Sequence, residues 1–234
     1  MMDCSRTHQT VRNLVLAAGL LLGGPAVVMA QTPGAPPSRE VRPEKDQKVP
    51  AIKAPPLSPL QLALKDGIPE NSVARVRLRD NLYALLAVAP NKAEAKKITT
   101  AIQRVWLTSG SETIDLLMQR ALKALGAKKA DRSFELLNAV IGLAPDYPEV
   151  WNQRAYLHYK KNDFRSAVGD LRRVLALDPK HFKALDGLGT VLRESGDDAG
   201  AFKVYERLMD INPLHPGVKD AFEELKQKVQ GRGI

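Results

Sequence analysis

The sequence predicts an all-α protein built from stacked helix-turn-helix repeats, with a helical hairpin before the repeats and a capping helix after them. Three prolines, Pro145, Pro179 and Pro213, follow one another at intervals of 34 residues. A fixed period of this length is typical of a helical repeat array, because each pair of helices buries its apolar face against the next pair. Apolar residues at helical spacing flank the periodic region on both sides, which predicts further helices there.

The side chains agree across the copies when the units are aligned on these prolines. Each first helix carries a large apolar residue and a small one four positions later. Each second helix opens with a small residue and has a large one four positions later. The columns are Leu117, Trp151 and Leu185; Ala121, Ala155 and Gly189; Ser133, Ala167 and Ala201; and Leu137, Leu171 and Tyr205. Small residues at facing points let two antiparallel helices approach closely, and large residues fill the space beside them.

The turn between the two helices is also encoded in the sequence. Asn162-Asp163 occupies it in one copy and Gly196-Asp197 in the next, whereas the first copy has Lys128-Lys129. Asn or Gly suits the left-handed conformation that ends a first helix, and Asp suits the cap of the second helix. The first copy is therefore the divergent one.

This pattern resembles the tetratricopeptide repeat, and the resemblance extends over residues 114–215. The copy at 182–215 matches best. The copy at 148–181 departs at Arg154, where the family prefers Leu, and at His158, where it prefers an aromatic or aliphatic residue. The resemblance implies a short right-handed α-α superhelix in which the first helix of each repeat lines a concave inner face.

The N-terminal segment is predicted to be a secretory signal peptide, residues 1–30. Arg6 precedes an apolar run from Leu14 to Val28, and Val28-Met29-Ala30 offers a small-x-small cleavage site before Gln31. The alternative is an uncleaved N-terminal anchor. Cleavage would remove Cys4, the single cysteine of the chain. An exported helical array without thiols suggests the bacterial periplasm.

The rest of the chain divides in order along its length. Eight prolines and no apolar periodicity predict an extended, disordered linker over 31–68. Asn91 and Glu94 predict the start of the second hairpin helix, Ser111 is expected to cap the first repeat, and Pro216 to open the capping helix. The predicted segments are the hairpin at 69–110, the divergent repeat at 111–147, the repeats at 148–181 and 182–215, and the capping helix at 216–230.

No pattern in the sequence indicates catalysis, a cofactor or a metal site, and the protein is predicted not to be an enzyme. His158, His181 and His215 fall in separate elements without the paired spacing of metal ligands. The formal charge is +9, but Lys and Arg are spread along the chain without an aromatic-interleaved patch, which argues against nucleic-acid binding. A weak association with an anionic membrane surface or an acidic protein remains an open alternative.

The function expected from the resemblance is protein binding in the concave face. Projection of the family's inward columns gives eleven candidate groove residues: Met118, Leu122, Glu149, Asn152, Tyr156, Tyr159, Lys160, Lys183, Asp186, Thr190 and Arg193. Exposed Tyr beside amide and charged groups suits a peptide or a partner helix. Of the positions that grip a chaperone's C-terminal carboxylate in some relatives, only Lys183 fits, so that subtype is not expected.

Two functional hypotheses follow from the sequence. The first is a non-catalytic periplasmic scaffold that recruits a protein of unknown identity through the groove. The second is a structural subunit that forms an oligomer or packs permanently in an envelope-associated assembly through its N-terminal hairpin. The sequence leaves the oligomeric state open.

Overall fold

Nine α-helices are given bounds within the residues that this computed structural model describes, which are 58, 60–61, 64–65 and 67–231. They are α1 Ser72–Ala87, α2 Lys92–Trp106, α3 Glu112–Gly126, α4 Ala130–Leu143, α5 Pro148–Lys160, α6 Phe164–Leu177, α7 Phe182–Glu194, α8 Asp198–Ile211 and α9 Val218–Gly231. The predicted signal peptide and most of the predicted linker lie outside the described residues. Within the described ranges, no helix is long and apolar enough to cross a membrane.

The helices pair in sequence order, which confirms the all-α repeat architecture. α3 packs with α4, α5 with α6 and α7 with α8, and α9 covers the outer side of α8. The column of small residues lies at the close approaches within these pairs. The Ser133 hydroxyl, buried in α4, donates a hydrogen bond to the Ala121 carbonyl oxygen of α3 at 3.0 Å. In α7, a Cβ added to Gly189 would lie 2.8 Å from the Tyr205 ring of α8.

The turns between paired helices have the predicted left-handed residue. Asn162 has a φ of 59° and Gly196 a φ of 83°, and the next residue in each case caps the following helix with its carboxylate. In the first repeat Lys128 takes this conformation with a φ of 58°, although a Cβ makes it unfavourable.

The helix start at Ser111 lies where predicted but lacks its capping hydrogen bond, and the start predicted at Pro216 is displaced. Ser111 stands at the N-cap position of α3, but its side chain makes no capping hydrogen bond; the Asp115 carboxylate instead accepts a hydrogen bond from the Ser109 N–H at 2.8 Å. Pro216 precedes the capping helix, because α9 begins only at Val218. The predicted cap at Asn91 is present, since its side chain accepts a hydrogen bond from the Glu94 N–H.

The two departures from the repeat pattern in α5 belong to one polar cluster. The Arg154 guanidinium donates two hydrogen bonds of 2.8 Å to the buried Asp170 carboxylate on α6 and a third to the Asn138 side chain on α4. His158 lies beside the same carboxylate, with its Nε2 3.8 Å from Asp170 Oδ2. A bidentate ion pair within the second repeat, together with a hydrogen bond to Asn138 of the first repeat, therefore replaces an apolar contact.

The buried apolar residues form two cores that are unequal in size. The smaller joins α3 and α4 to α5, through residues such as Ile114, Met118 and Leu157. The larger joins the second and third repeats and the capping helix, and it also contains the apolar stripe of α1 and α2. The hairpin therefore does not stack on the first repeat, which follows it in sequence. It packs instead on α8 and on the corner between α6 and α7.

A buried polar network holds the hairpin to that corner. The Tyr83 hydroxyl on α1 donates to the Asp178 carboxylate at the end of α6 at 2.7 Å, across 95 residues of sequence. The Trp106 Nε1 on α2 donates to the Tyr83 oxygen at 3.0 Å, and the Trp106 ring stacks on the His181 ring with centroids 3.7 Å apart. Burial and the Asp178 charge raise the pKa of Tyr83 far above its ordinary value. We refer to this contact as the hairpin clamp.

Candidate functional site

A groove of about 760 Å³ runs between the first helices of the second and third repeats, α5 and α7. Its apolar end is formed by Leu122 and Leu125 of α3, and its polar part by side chains of α5 and α7. These helices line it because their apolar stripes face α6 and α8, which leaves the opposite side of each first helix open.

The structure brings seven of the eleven candidate residues together in this groove. They are Leu122, Asn152, Tyr156, Tyr159, Lys183, Asp186 and Thr190. Lys160 follows Tyr159 at the end of α5, and its Nζ lies 5.4 Å from the Tyr156 ring centroid and 6.0 Å from that of Tyr159. Arg193 is half-buried on the last turn of α7 and lies outside the groove lining.

Two of the candidates are buried and do not line the groove. Met118 is 1% exposed within the smaller core, and Glu149 is 3% exposed in the first turn of α5. The projection from the repeat pattern placed them on the inner face, but it ignored how neighbouring elements cover a helix. Packing of α4 covers Met118, and the His181 corner covers Glu149.

Sequence reasoning missed several groove residues. Gln153, Leu125 and His215 contribute side chains to the lining, and Gly187 contributes backbone. Gln153 follows Asn152 directly, so the helical period alone would have placed it near the edge of the same face. His215 follows the third repeat, and only its recurrence at the same corner as His181 could have indicated its position.

The two tyrosines of the groove differ in solvent exposure and in hydrogen bonding. Tyr156 is 45% exposed and its hydroxyl forms no hydrogen bond with another described residue. Tyr159 is half-buried, stacks on Phe164 with centroids 6.0 Å apart, and donates its hydroxyl proton to Glu194 at 2.7 Å. That hydrogen bond raises the pKa of Tyr159. Tyr156 is therefore the aromatic side chain that is available to a partner.

A buried carboxylate lies directly beneath the polar part of the groove. Glu149 accepts hydrogen bonds from Gln153 Nε2 at 2.5 Å, from Asn152 Nδ2 at 3.2 Å and from His181 Nε2 at 3.0 Å. Burial opposes the charged form of Glu149, but the hydrogen bonds from His181 and Gln153 and the positive charge of Lys183 lower its pKa overall. The carboxylate is ionised and holds both groove amides.

Asp186 presents a second carboxylate, on the α7 side of the groove. It is half-buried, and it makes no hydrogen bond or ion pair within the described part of the chain. Burial raises its pKa, and the charges of His215 and Arg193 act against that shift. A partly desolvated carboxylate without a partner favours a ligand that carries a donor.

Metal ligands are not grouped in this groove or elsewhere in the ranges that the structure describes, since no three His, Cys, Asp or Glu side chains are arranged to hold an ion.

Known proteins similar to this chain carry tetratricopeptide repeats. A family model for the tetratricopeptide repeat matches residues 152–216. A TPR repeat-containing protein from Rhizobium etli is 36% identical over 152 residues, which cover 65% of this chain and 74% of that protein. Small glutamine-rich tetratricopeptide repeat-containing protein 2 from Mycosarcoma maydis is 27% identical over 107 residues, which cover 46% of this chain and 30% of that relative.

Solved structures similar to this chain include tetratricopeptide repeat domains. The Sgt2 TPR domain from Aspergillus fumigatus has a TM-score of 0.47 and 23% identity, and the match covers 53% of this chain and 84% of that domain. The first TPR of Spaghetti (RPAP3), solved with a bound HSP90 peptide, has a TM-score of 0.49 and 20% identity, and the match covers 51% and 95% of the two chains.

Proposed function

Because this chain belongs to the tetratricopeptide repeat family, we propose that it is a non-catalytic protein-interaction module that binds a peptide segment of a partner in the groove between α5 and α7. The observation that carries the proposal is the groove itself. It is open, it grades from apolar Leu122 to polar Asp186, and it presents an exposed Tyr156 whose hydroxyl has no hydrogen-bond partner among the described residues. A rigid aromatic side chain beside amides and charges is typical of a site that anchors a peptide.

Burial of the apolar side of the hairpin favours partner binding in the groove over partner binding by the hairpin. Its apolar stripe, including Leu82, Leu86 and Ile102, is buried against the second and third repeats of the same chain. Little apolar surface of the hairpin is therefore left for an oligomer contact or an envelope-associated assembly. The exposed exceptions are Val73, Val76, Val88 and Leu107.

We further propose that the module acts in the bacterial periplasm after cleavage behind Ala30. The support is the basic start, the short apolar run and the Val28-Met29-Ala30 site of the sequence. Mass spectrometry of the exported protein should find an N-terminus at Gln31. A chain that keeps Met1 in a membrane fraction would contradict this proposal.

Capture of partners by the immobilised chain tests the binding function. Tyr156→Ala should lower the affinity of captured partners by about 2 kcal/mol, roughly thirtyfold, because a buried Tyr anchor contributes on that scale. Leu116→Ala is the matched control, since Leu116 is 47% exposed on α3 and does not line the groove. Circular dichroism should show the same helix content in all three proteins.

Equal capture by the parent and Tyr156→Ala would exclude the groove as the binding site. Loss of capture in Leu116→Ala alone would place the site on the outer side of the first repeat.

A further inference from the structure

The buried Glu149 carboxylate fixes which way the groove amides point. An ionised carboxylate accepts hydrogen bonds and cannot donate them. His181 agrees with the ionised form, because its Nδ1 accepts a hydrogen bond from the Ala184 N–H and its Nε2 therefore carries the proton given to Glu149. The side chains of Asn152 and Gln153 must then turn their NH₂ groups toward Glu149.

Each amide consequently has its carbonyl oxygen directed away from Glu149. The oxygen occupies the other corner of the same planar group, and both side chains line the groove. Neither oxygen accepts a hydrogen bond from any residue that the structure describes. The Asp186 carboxylate, on the facing helix, is a third acceptor without a partner. Tyr159 adds no donor, because its proton is committed to Glu194.

The donors that line the groove are Lys183, His215 and the hydroxyls of Tyr156 and Thr190. Lys183 is exposed, but its charge acts on the buried Glu149, whose pKa it lowers. The Thr190 hydroxyl shares a hydrogen bond of 3.3 Å with the Tyr205 hydroxyl. The polar part of the groove therefore presents three acceptors that no described donor satisfies, the amide oxygens of Asn152 and Gln153 and the carboxylate of Asp186.

From this arrangement we propose that the groove selects a peptide segment with a Lys or Arg side chain, whose cationic head binds the carbonyl oxygens of Asn152 and Gln153 and the carboxylate of Asp186. The aliphatic stem would lie toward Leu122 and Leu125, and the exposed Tyr156 ring would cover the cation. A carboxylate ligand would instead face three acceptors and the buried charge of Glu149. The inference rests on the proposed function, because it names the chemistry of the same site.

A preference for a basic peptide is opposite to the preference that the net positive charge of the chain would produce. The two effects can therefore be distinguished by experiment. The formal charge is +9, so non-specific attraction would favour an acidic peptide. A preference for a basic segment can therefore come only from short-range contacts in the groove.

A displayed library of random octapeptides, selected on the full chain and in parallel on Tyr156→Ala, separates this inference from the proposed function. Peptides that bind the parent but not Tyr156→Ala support the groove as a binding site. Lys or Arg enrichment among those peptides supports the present inference. Enrichment of Asp, Glu or a free C-terminal carboxylate would overturn it and leave the binding function standing. If no peptide depends on Tyr156, both proposals fail.

Fluorescence anisotropy with two acetylated and amidated peptides then tests the named residues. The peptides share one selected sequence and differ only by Lys or Glu at the enriched position. We expect the parent to bind the Lys peptide about tenfold more tightly, on the scale of one charge-assisted hydrogen bond. Asp186→Asn should remove most of that difference, and Asp210→Asn, an exposed carboxylate on α8 outside the groove, should keep it.

Glu149→Gln provides a second test that does not remove a groove side chain. A neutral amide at this position can donate as well as accept, so Asn152 and Gln153 would no longer be held in one orientation. The difference in affinity between the Lys peptide and the Glu peptide should be smaller in this variant than in the parent. An unchanged preference in both Asp186→Asn and Glu149→Gln would contradict the assignment.

Discussion

Tyr83→Phe should release part of the hairpin clamp while leaving its shape intact. The substitution removes one oxygen atom from a side chain that is almost fully buried. That oxygen donates to Asp178 at 2.7 Å and accepts from Trp106 at 3.0 Å, and both partners are buried. Trp106 keeps a partner after the change, because its Nε1 lies 3.3 Å from the same carboxylate. The principal loss is therefore the hydrogen bond to a charged, buried acceptor.

Loss of a hydrogen bond to a charged group costs about 1.5–3 kcal/mol of unfolding free energy, so we expect a loss of about 2 kcal/mol here. With a urea dependence of about 2 kcal/mol per molar for a chain of this size, the midpoint should fall by about 1 M. Tryptophan fluorescence, to which Trp106 of the clamp and Trp151 of α5 both contribute, and circular dichroism follow the transition.

Tyr156→Phe is the matched control for this measurement. It removes the same atom from an exposed tyrosine without a described hydrogen-bond partner, so its midpoint should equal that of the parent. Superimposable urea curves for Tyr83→Phe and Tyr156→Phe would mean that the hairpin is not docked on the second and third repeats in solution.

Three further predictions concern close packing, a turn and acid stability. Gly189→Ala should lower the thermal midpoint, because the new methyl would meet the Tyr205 ring at 2.8 Å, whereas Gly187→Ala, whose nearest neighbour would be at 3.4 Å, should leave the midpoint equal or higher. Lys128→Gly should raise the unfolding free energy by about 0.5–1 kcal/mol, since Lys128 has a φ of 58°; a lower value would show that its side chain stabilises the turn. Glu149 has a folded pKa below its ordinary value of 4.5, so its contribution to stability is complete above that pH and is lost as the pH falls through the folded pKa. The difference in urea midpoint between the parent and Glu149→Gln should shrink with acidification, and a constant difference would show that Glu149 is not held as an ion.

The repeat could be predicted from sequence because each of its features is local. The spacing of Pro145, Pro179 and Pro213 sets the period, and the Asn162-Asp163 and Gly196-Asp197 pairs set the turns. Each depends on the conformational preference of one or two residues. Asn152 and Tyr156, whose positions follow from the same period, line the groove.

The hairpin clamp could not be predicted in the same way. Tyr83 and Asp178 are separated by 95 residues, and nothing in the apolar stripe of α1 distinguishes docking on the first repeat from docking on the third. Burial of Glu149 is a consequence of the same corner, because His181 covers it. The position of Glu149 in the repeat predicts which face of the helix it occupies, but not which other elements cover that face.

The sequence shows that Arg154 and His158 depart from the repeat pattern, but it does not show which residues bind them. The family pattern marks them as irregular, but their partners Asp170 and Asn138 lie on two other helices. An Arg in place of Leu is compatible with burial only where a carboxylate and an amide complete its hydrogen bonds. Asp170 of the second repeat and Asn138 of the first together compensate the irregularity.

The hairpin clamp also determines how parts of the chain should open. In a simple array each repeat contacts only its neighbours, and unfolding proceeds inward from the ends. Here the first repeat lies in sequence between the hairpin and the second repeat, and those two segments share one core. The first repeat can therefore unfold locally while the segments on both sides of it stay folded. Amide hydrogens of α3 and α4 should therefore exchange with solvent before those of α1 and α2, although the hairpin is nearer the chain terminus. Order of assembly should follow the same logic, with the hairpin joining late because its contacts close a long stretch of intervening chain.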